Sequence, residues 1–250
     1  MELALMTWPE LDARLTLGAC VMLPMGSTEQ HGPMGLNGTD TICAHEIART
    51  AARLCDGVVA PPIAYTPAPF NTSFPGTVSL TPDLMQDLVQ QICEGLLAQG
   101  FRGVFIINGH GANLAPARAA AATLPKGTVH IQSWWDPEPV AKMRRDFFGD
   151  WEGMHATPSE VAITQALHGA KPVGAAAEPP EKLSRAYITE HSGDRHGPPD
   201  EHRAQFPDGR VGSHSALATP ELGHQLLETA SKALADDFRR FSAECGCEAT

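Results

Sequence analysis

The sequence predicts an α/β fold, a three-layer α/β/α arrangement with a mostly parallel central sheet. Short apolar runs at Ala19 to Leu23, Val58 to Ile63, Val104 to Ile107 and Val129 to Gln132 read as strands, with helical segments spaced between and after them. The run Val104 to Ile107 is β-branched and aromatic and lacks polar alternation, as a strand buried on both faces would. Strand-then-helix repetition calls for crossover helices, which cover both faces of a parallel sheet.

The elements follow in order. Thr7-Trp8-Pro9-Glu10 is a cap-like start for a short helix ahead of the first strand. Thr41 to Leu54 reads as a helix beginning directly after Asp40. The strand Val58 to Ile63 ends in a Pro-rich loop through Pro69. Thr81-Pro82-Asp83 caps a helix to about Ala98, with Gly100 as its stop. After the third strand come an Ala-rich helix, Leu114 to Leu124, and the fourth strand. Helices then run near Val140 to Phe148 and from Pro158 to Leu167. Gly169 to Gly212 is rich in Gly, Pro and charge; it reads as a long loop excursion from a single domain spanning 1–250. A lid or a subunit contact is expected of it, because structureless loops this long are usually functional. Thr219-Pro220-Glu221 caps a final amphipathic helix through about Phe241.

Composition excludes several classes. A net charge of -11 argues against non-specific nucleic-acid binding, which needs a basic face. No apolar stretch approaches the roughly 18 residues of a membrane span. Acidic Glu2 and the lack of a basic leader speak against a secretory signal. The six cysteines are scattered through core elements and the tail, which suggests reduced thiols and a cytoplasmic protein.

The chemistry concentrates in two blocks. Gly26-Ser27-Thr28-Glu29-Gln30-His31-Gly32-Pro33, followed by Asn37-Gly38-Thr39-Asp40, comes just after the first strand. Asn108-Gly109-His110-Gly111-Ala112-Asn113 comes just after the third. Glu29 and His31, two apart, leave one face of an extended segment. Together with Asp40 and His110 they offer oxygen and nitrogen donors suited to a divalent transition metal. In open parallel sheets, ligands bind beyond the carboxyl ends of the strands, where these residues lie. The competing view is a polar loop in which Asp40 merely caps the next helix.

These two blocks resemble the creatininase family of metal-dependent amidohydrolases. The resemblance extends to Phe74-Pro75-Gly76-Thr77, Trp134-Trp135-Asp136, and His155-Ala156 with Glu160. It implies a bridging Asp40, with Glu29 and His110 on one metal and His31 on the other. It also implies that a glutamate two residues after His110 completes the second shell. This chain has Ala112 there, so Glu160 is the candidate replacement, although Thr157-Pro158-Ser159-Glu160 equally reads as a capping box. His155 matches a histidine near the substrate and could protonate a leaving nitrogen; alternatively it is a helix-entry residue. Trp135 and Trp151 correspond to pocket tryptophans, and Gly76 reads as a turn residue at the pocket mouth.

The expected function is therefore hydrolysis of a C–N amide bond in a small molecule (a cyclic amide, a formamide or a short peptide). Catalytic candidates are His155 and Glu160; metal candidates are Glu29, His31, Asp40, His110 and Glu160. One or two divalent cations are expected, zinc foremost, with Mn or Fe also compatible. Lyase or isomerase chemistry and an inactive metal-binding assembly subunit are the alternatives. The resemblance also implies a homo-oligomer, often a hexamer.

Overall fold

The computed structural model describes residues 1–247; residues 248–250, the end of the expected domain, lie outside the described residues. β1 (Val21–Met25), β2 (Val58–Val59), β3 (Val104–Asn108) and β4 (Val129–Ser133) form an all-parallel sheet in the order β2-β1-β3-β4. Every residue of β1 and β3 is buried. The chain builds outward from β1 to β2, then crosses back to start β3 on the other side. The gap between β1 and β3 is thus the topological switch point of the sheet. Met25 pairs with Asn108, so the segments that leave these two strands emerge level with each other.

One face is covered by α1 (Trp8–Thr16), α3 (Pro82–Ala98) and α4 (Leu114–Ala122). Met85, Val89, Cys93, Ala117 and Ala120 pack there against Val21, Leu23, Val104 and Ile106. The other face carries α2 (Thr39–Cys55), α5 (Glu138–Phe148), α6 (Pro158–His168) and the long α9 (Pro220–Glu244). Ile47, Ala51, Val161, Leu226 and Phe238 close over Met22, Phe105 and Ile107. Alternation of side chains along each strand divides the two cores. Among the described residues, no helix is long and apolar enough to cross a membrane. All six cysteines are free thiols.

Some elements differ from the sequence expectation. β1 starts two residues later and reaches Met25, because ladder pairing with β3 begins only at Val21. β2 shrinks to two residues on the sheet edge, since Pro61 and Pro62 have no N–H to donate. α2 begins at Thr39, which puts Asp40 inside its first turn rather than ahead of it. The excursion contains two short helices, α7 (Arg185–Glu190) and α8 (Pro199–Gln205), too brief for periodicity to reveal. The buried Arg210 guanidinium pins it by donating to the carbonyls of Ala176 and Glu178 at 3.1 and 2.9 Å.

Two glycines set where α2 lands. A Cβ at Gly26 would lie 2.2 Å from the Thr41 nitrogen, and one at Gly109 would lie 2.4 Å from the Asp40 carbonyl oxygen. Only glycine lets the chain beyond β1 and β3 approach the first turn of α2 this closely. Asp40 is thereby wedged at the switch point.

Candidate metal centre

Four separate pieces of chain deliver the donors. The loop after β1 supplies Glu29 and His31, and it is closed by the Glu29 N–H donating to the Asn37 carbonyl at 2.8 Å. The first turn of α2 supplies Asp40, the turn after β3 supplies His110, and the first turn of α6 supplies Glu160. All five side chains are buried.

The histidines are oriented by backbone carbonyls, which can only accept. His110 Nε2–H donates to the Pro67 carbonyl at 2.8 Å. Its Nδ1 therefore faces Glu29 Oε1 at 2.9 Å and Asp40 Oδ2 at 3.1 Å. His31 repeats the arrangement with its nitrogens exchanged. Nδ1–H donates to the Glu29 carbonyl at 3.0 Å, and Nε2 faces Asp40 Oδ1 at 2.8 Å and Glu160 Oε1 at 3.8 Å. Asp40 thus gives one oxygen to each side. Two donor groups share Asp40, Glu29–Asp40–His110 and His31–Asp40–Glu160, and a third, Glu29–His31–His155, adjoins them; the atoms of each lie within 4.8 Å of one another. Ser27 Oγ donates to Asp40 Oδ2 at 2.7 Å, and Asn71 Nδ2 to Glu29 Oε2 at 2.7 Å. Partners of this kind hold ligating carboxylates and imidazoles in orientation.

The protonation states follow from burial opposed by charge. Burial alone would raise Asp40 and Glu29, but the facing imidazoles hold both carboxyls below their ordinary range, Asp40 well below it. Burial alone would lower His31 and His110; the carboxylates outweigh it and carry His31 up to about 10 and His110 well above its ordinary value. Both rings are thereby favoured in the doubly protonated form, each turning an N–H toward carboxylate oxygens. Glu160 is pushed up to about 8 by burial.

The remaining predicted residues are placed as follows. Glu160 does close the capping box: Oε1 accepts the Thr157 N–H at 2.5 Å, and its own N–H donates to Thr157 Oγ1 at 3.3 Å. That same Oε1 faces His31, so capping and approach to the centre coexist in one rotamer. His155 is buried with its ring 4.5 Å from that of His31, and Nε2–H donates to the Gln30 carbonyl at 2.7 Å. Burial lowers it to about 4 and keeps the ring neutral, with Nδ1 as its free acceptor. A cavity of about 160 Å³ opens onto the centre, lined by Asp40, His110, Trp135, Arg144, His155 and Glu160 among others. Trp151 packs instead against His214 and the Lys182 ammonium, and is not among the lining residues. Gly76, with φ +91°, lies against the Asn37 side chain behind the Glu29 loop rather than in the cavity wall.

Sequence reasoning missed Ser27, Asn71 and Asp194. Ser27 lay inside the first block and could have been read from it; Asn71 sits in a Pro-rich loop with no signal. Asp194 comes from the excursion, where one acid among many charges carries no pattern. Ala112 lies on the His110 side, its N–H donating to Asp194 Oδ2 at 3.0 Å. Glu160, the candidate replacement for a glutamate at position 112, faces the His31 side from α6.

A doubly wound α/β enzyme with a buried carboxylate–imidazole centre at its switch point is the class that fold and site define. The chain belongs to the creatininase family of metal-dependent amidohydrolases: the family profile described as Creatininase, creatinine amidohydrolase, matches residues 4–238. It is 26% identical over 256 residues to a creatinine amidohydrolase of Pseudomonas putida, covering 94% of each chain. A mycofactocin precursor peptide peptidase of Mycolicibacterium smegmatis is 39% identical over 110 residues, 42% of this chain and 44% of that one. A crystal structure of creatinine amidohydrolase superposes with a TM-score of 0.77 at 22% identity, over 96% of both chains.

Proposed function

We propose that this protein hydrolyses a C–N amide bond of a small molecule at a centre of one or two divalent cations held by Glu29, His31, Asp40, His110 and Glu160. One observation carries the reading. Each histidine spends one N–H on a backbone carbonyl and turns its other nitrogen onto carboxylate oxygens, with Asp40 shared between them. A neutral imidazole lone pair facing a carboxylate is repulsive, so the site needs either an extra proton or a cation at each position. Mixed carboxylate and imidazole donors suit zinc, and manganese or iron also. A bound cation would lower the pKa of water toward neutrality and polarise the substrate carbonyl.

The chain's own residues do the rest. His155 Nδ1 takes a proton as water adds to the carbonyl and returns it to the departing nitrogen, which makes the amine a competent leaving group. Gln30 fixes the imidazole for that exchange by accepting from Nε2. Trp135 and the adjoining walls keep the cavity narrow, which favours a small or extended substrate. Cyclic amides, formamides and short peptides are the classes to try; relatives named as a creatinine amidohydrolase and a peptide peptidase support that breadth. Ala112 argues against creatinine itself. A homo-oligomer, of hexamer type, is the assembly we expect in solution.

The test is metal content after purification without chelators, paired with turnover of a panel of lactams, formamides and short peptides. Metal together with amide cleavage is the expected result. Metal without cleavage of any amide points to lyase or isomerase chemistry, and a metal-free protein to an inactive subunit; either outcome overturns the reading.

A further inference from the structure

The 169–212 excursion reaches the centre at a single tip. Gly193 and Asp194 both adopt positive φ, 75° and 55°, and this bend drives the Asp194 carboxylate down onto the turn after β3. Oδ2 accepts the Ala112 N–H at 3.0 Å and lies 3.7 Å from His110 Nδ1. A Cβ on Gly111 would fall 2.2 Å from that same oxygen, so the glycine is what admits the carboxylate. Asp194 is mostly buried, and among the described residues no lysine or arginine pairs with it. Its only ion-pair contacts there are His110 and, at 3.9 Å, His196. A buried carboxylate without a firm cationic partner is costly. A divalent cation on the His110 side is the charge it lacks.

We propose that Asp194 is an additional carboxylate for the cation on the His110 side, so that cation binding and closure of the excursion are one coupled equilibrium. The inference rests on the metal centre proposed above. Coupling of this kind is reciprocal: if closure tightens the cation, the cation stabilises closure by the same factor. The excursion has other anchors that hold without metal. Ser73 Oγ donates to Asp200 at 2.6 Å, and the rings of His196 and His202 pack on Phe70 at 4.7 and 5.1 Å. Those contacts fall on residues 70–73, and Asn71 in that turn orients Glu29. Both ends of the device thus meet at the same carboxylates.

Zn²⁺ titration of the full chain by calorimetry, with hydrogen exchange over residues 185–205 in the metal-free and Zn²⁺-loaded states, tests this. D194N is the informative variant, because asparagine tolerates positive φ and still accepts the Ala112 N–H. A purely structural role would leave it unaffected. We expect D194N to weaken one Zn²⁺ site by about 10- to 100-fold, the effect typical of lost supporting groups at metal sites. We also expect Zn²⁺ to slow exchange over 185–205 in the parent chain and to lose that effect in the variant. Unchanged affinity with unchanged Zn²⁺-dependent protection overturns the proposal while leaving the metal centre intact. A parent chain that binds no Zn²⁺ instead overturns the reading of the centre itself.

Discussion

Asp40 divides its two oxygens between two imidazoles, each already tied by its far nitrogen to a backbone carbonyl, and this division gives every other residue of the centre a side. Glu160 stands on the His31 side while also capping α6, and substitution separates the two tasks. Glu160→Gln still completes a capping box, so the melting temperature should hold while one metal equivalent disappears; metal content equal to the parent's would retire Glu160 as a ligand. In the proposed mechanism His155 acts on the reaction and not on the cation, so His155→Ala should retain metal and slow turnover by about 10²- to 10⁴-fold. A substrate with an activated leaving group, which needs less protonation, should suffer less. Equal slowing of both substrates would assign His155 to positioning, and loss of metal would make it a ligand. Glu29, His31, Asp40 and His110 were legible in the sequence because glycine-rich turns at strand ends mark them. Asn71 and Asp194 were not, since each is a lone polar residue that tertiary packing alone brings in.

At the level of elements, the centre depends on how closely α2 approaches the ends of β1 and β3. Gly109→Ala would push a methyl group into the Asp40 carbonyl. A cost of about 1–3 kcal/mol is expected from such overpacking, together with weaker metal binding because Asp40 moves. Gly95→Ala, in α3 with nothing within 4 Å of the added carbon, should instead stabilise by about 0.5–1 kcal/mol through helix propensity. Chemical denaturation of both variants, with metal titration of the first, checks the contrast; a neutral Gly109→Ala would show that the close approach is dispensable. Most elements could be read from caps and apolar runs: Thr81 and Thr219 cap α3 and α9 through their side chains as the sequence indicated. β2 was over-read because its apolar run continues into prolines that cannot join a ladder. The helices of the excursion were invisible because six or seven residues cannot establish a 3.6-residue period.

For the molecule as a whole, parallel topology was deducible from the strand–helix repetition, and the site's place beyond the strand ends came with it. The donor blocks could be assigned to the ends of the first and third strands, but the order β2-β1-β3-β4, which makes those strands neighbours, could not, because strand order is set by long-range packing between faces. An acidic chain with a net charge of -11 gathers four carboxylates, Glu29, Asp40, Glu160 and Asp194, around His31 and His110, and in the proposed reading these are balanced by divalent cations. The most direct test counts them. Elemental analysis of the protein prepared without chelators should find up to two divalent cations per chain, and Asp40→Ala should lose more metal than Glu29→Ala or His31→Ala, since Asp40 turns one oxygen to His31 at 2.8 Å and the other to His110 at 3.1 Å. Full metal occupancy in the Asp40→Ala variant would contradict the shared-carboxylate centre.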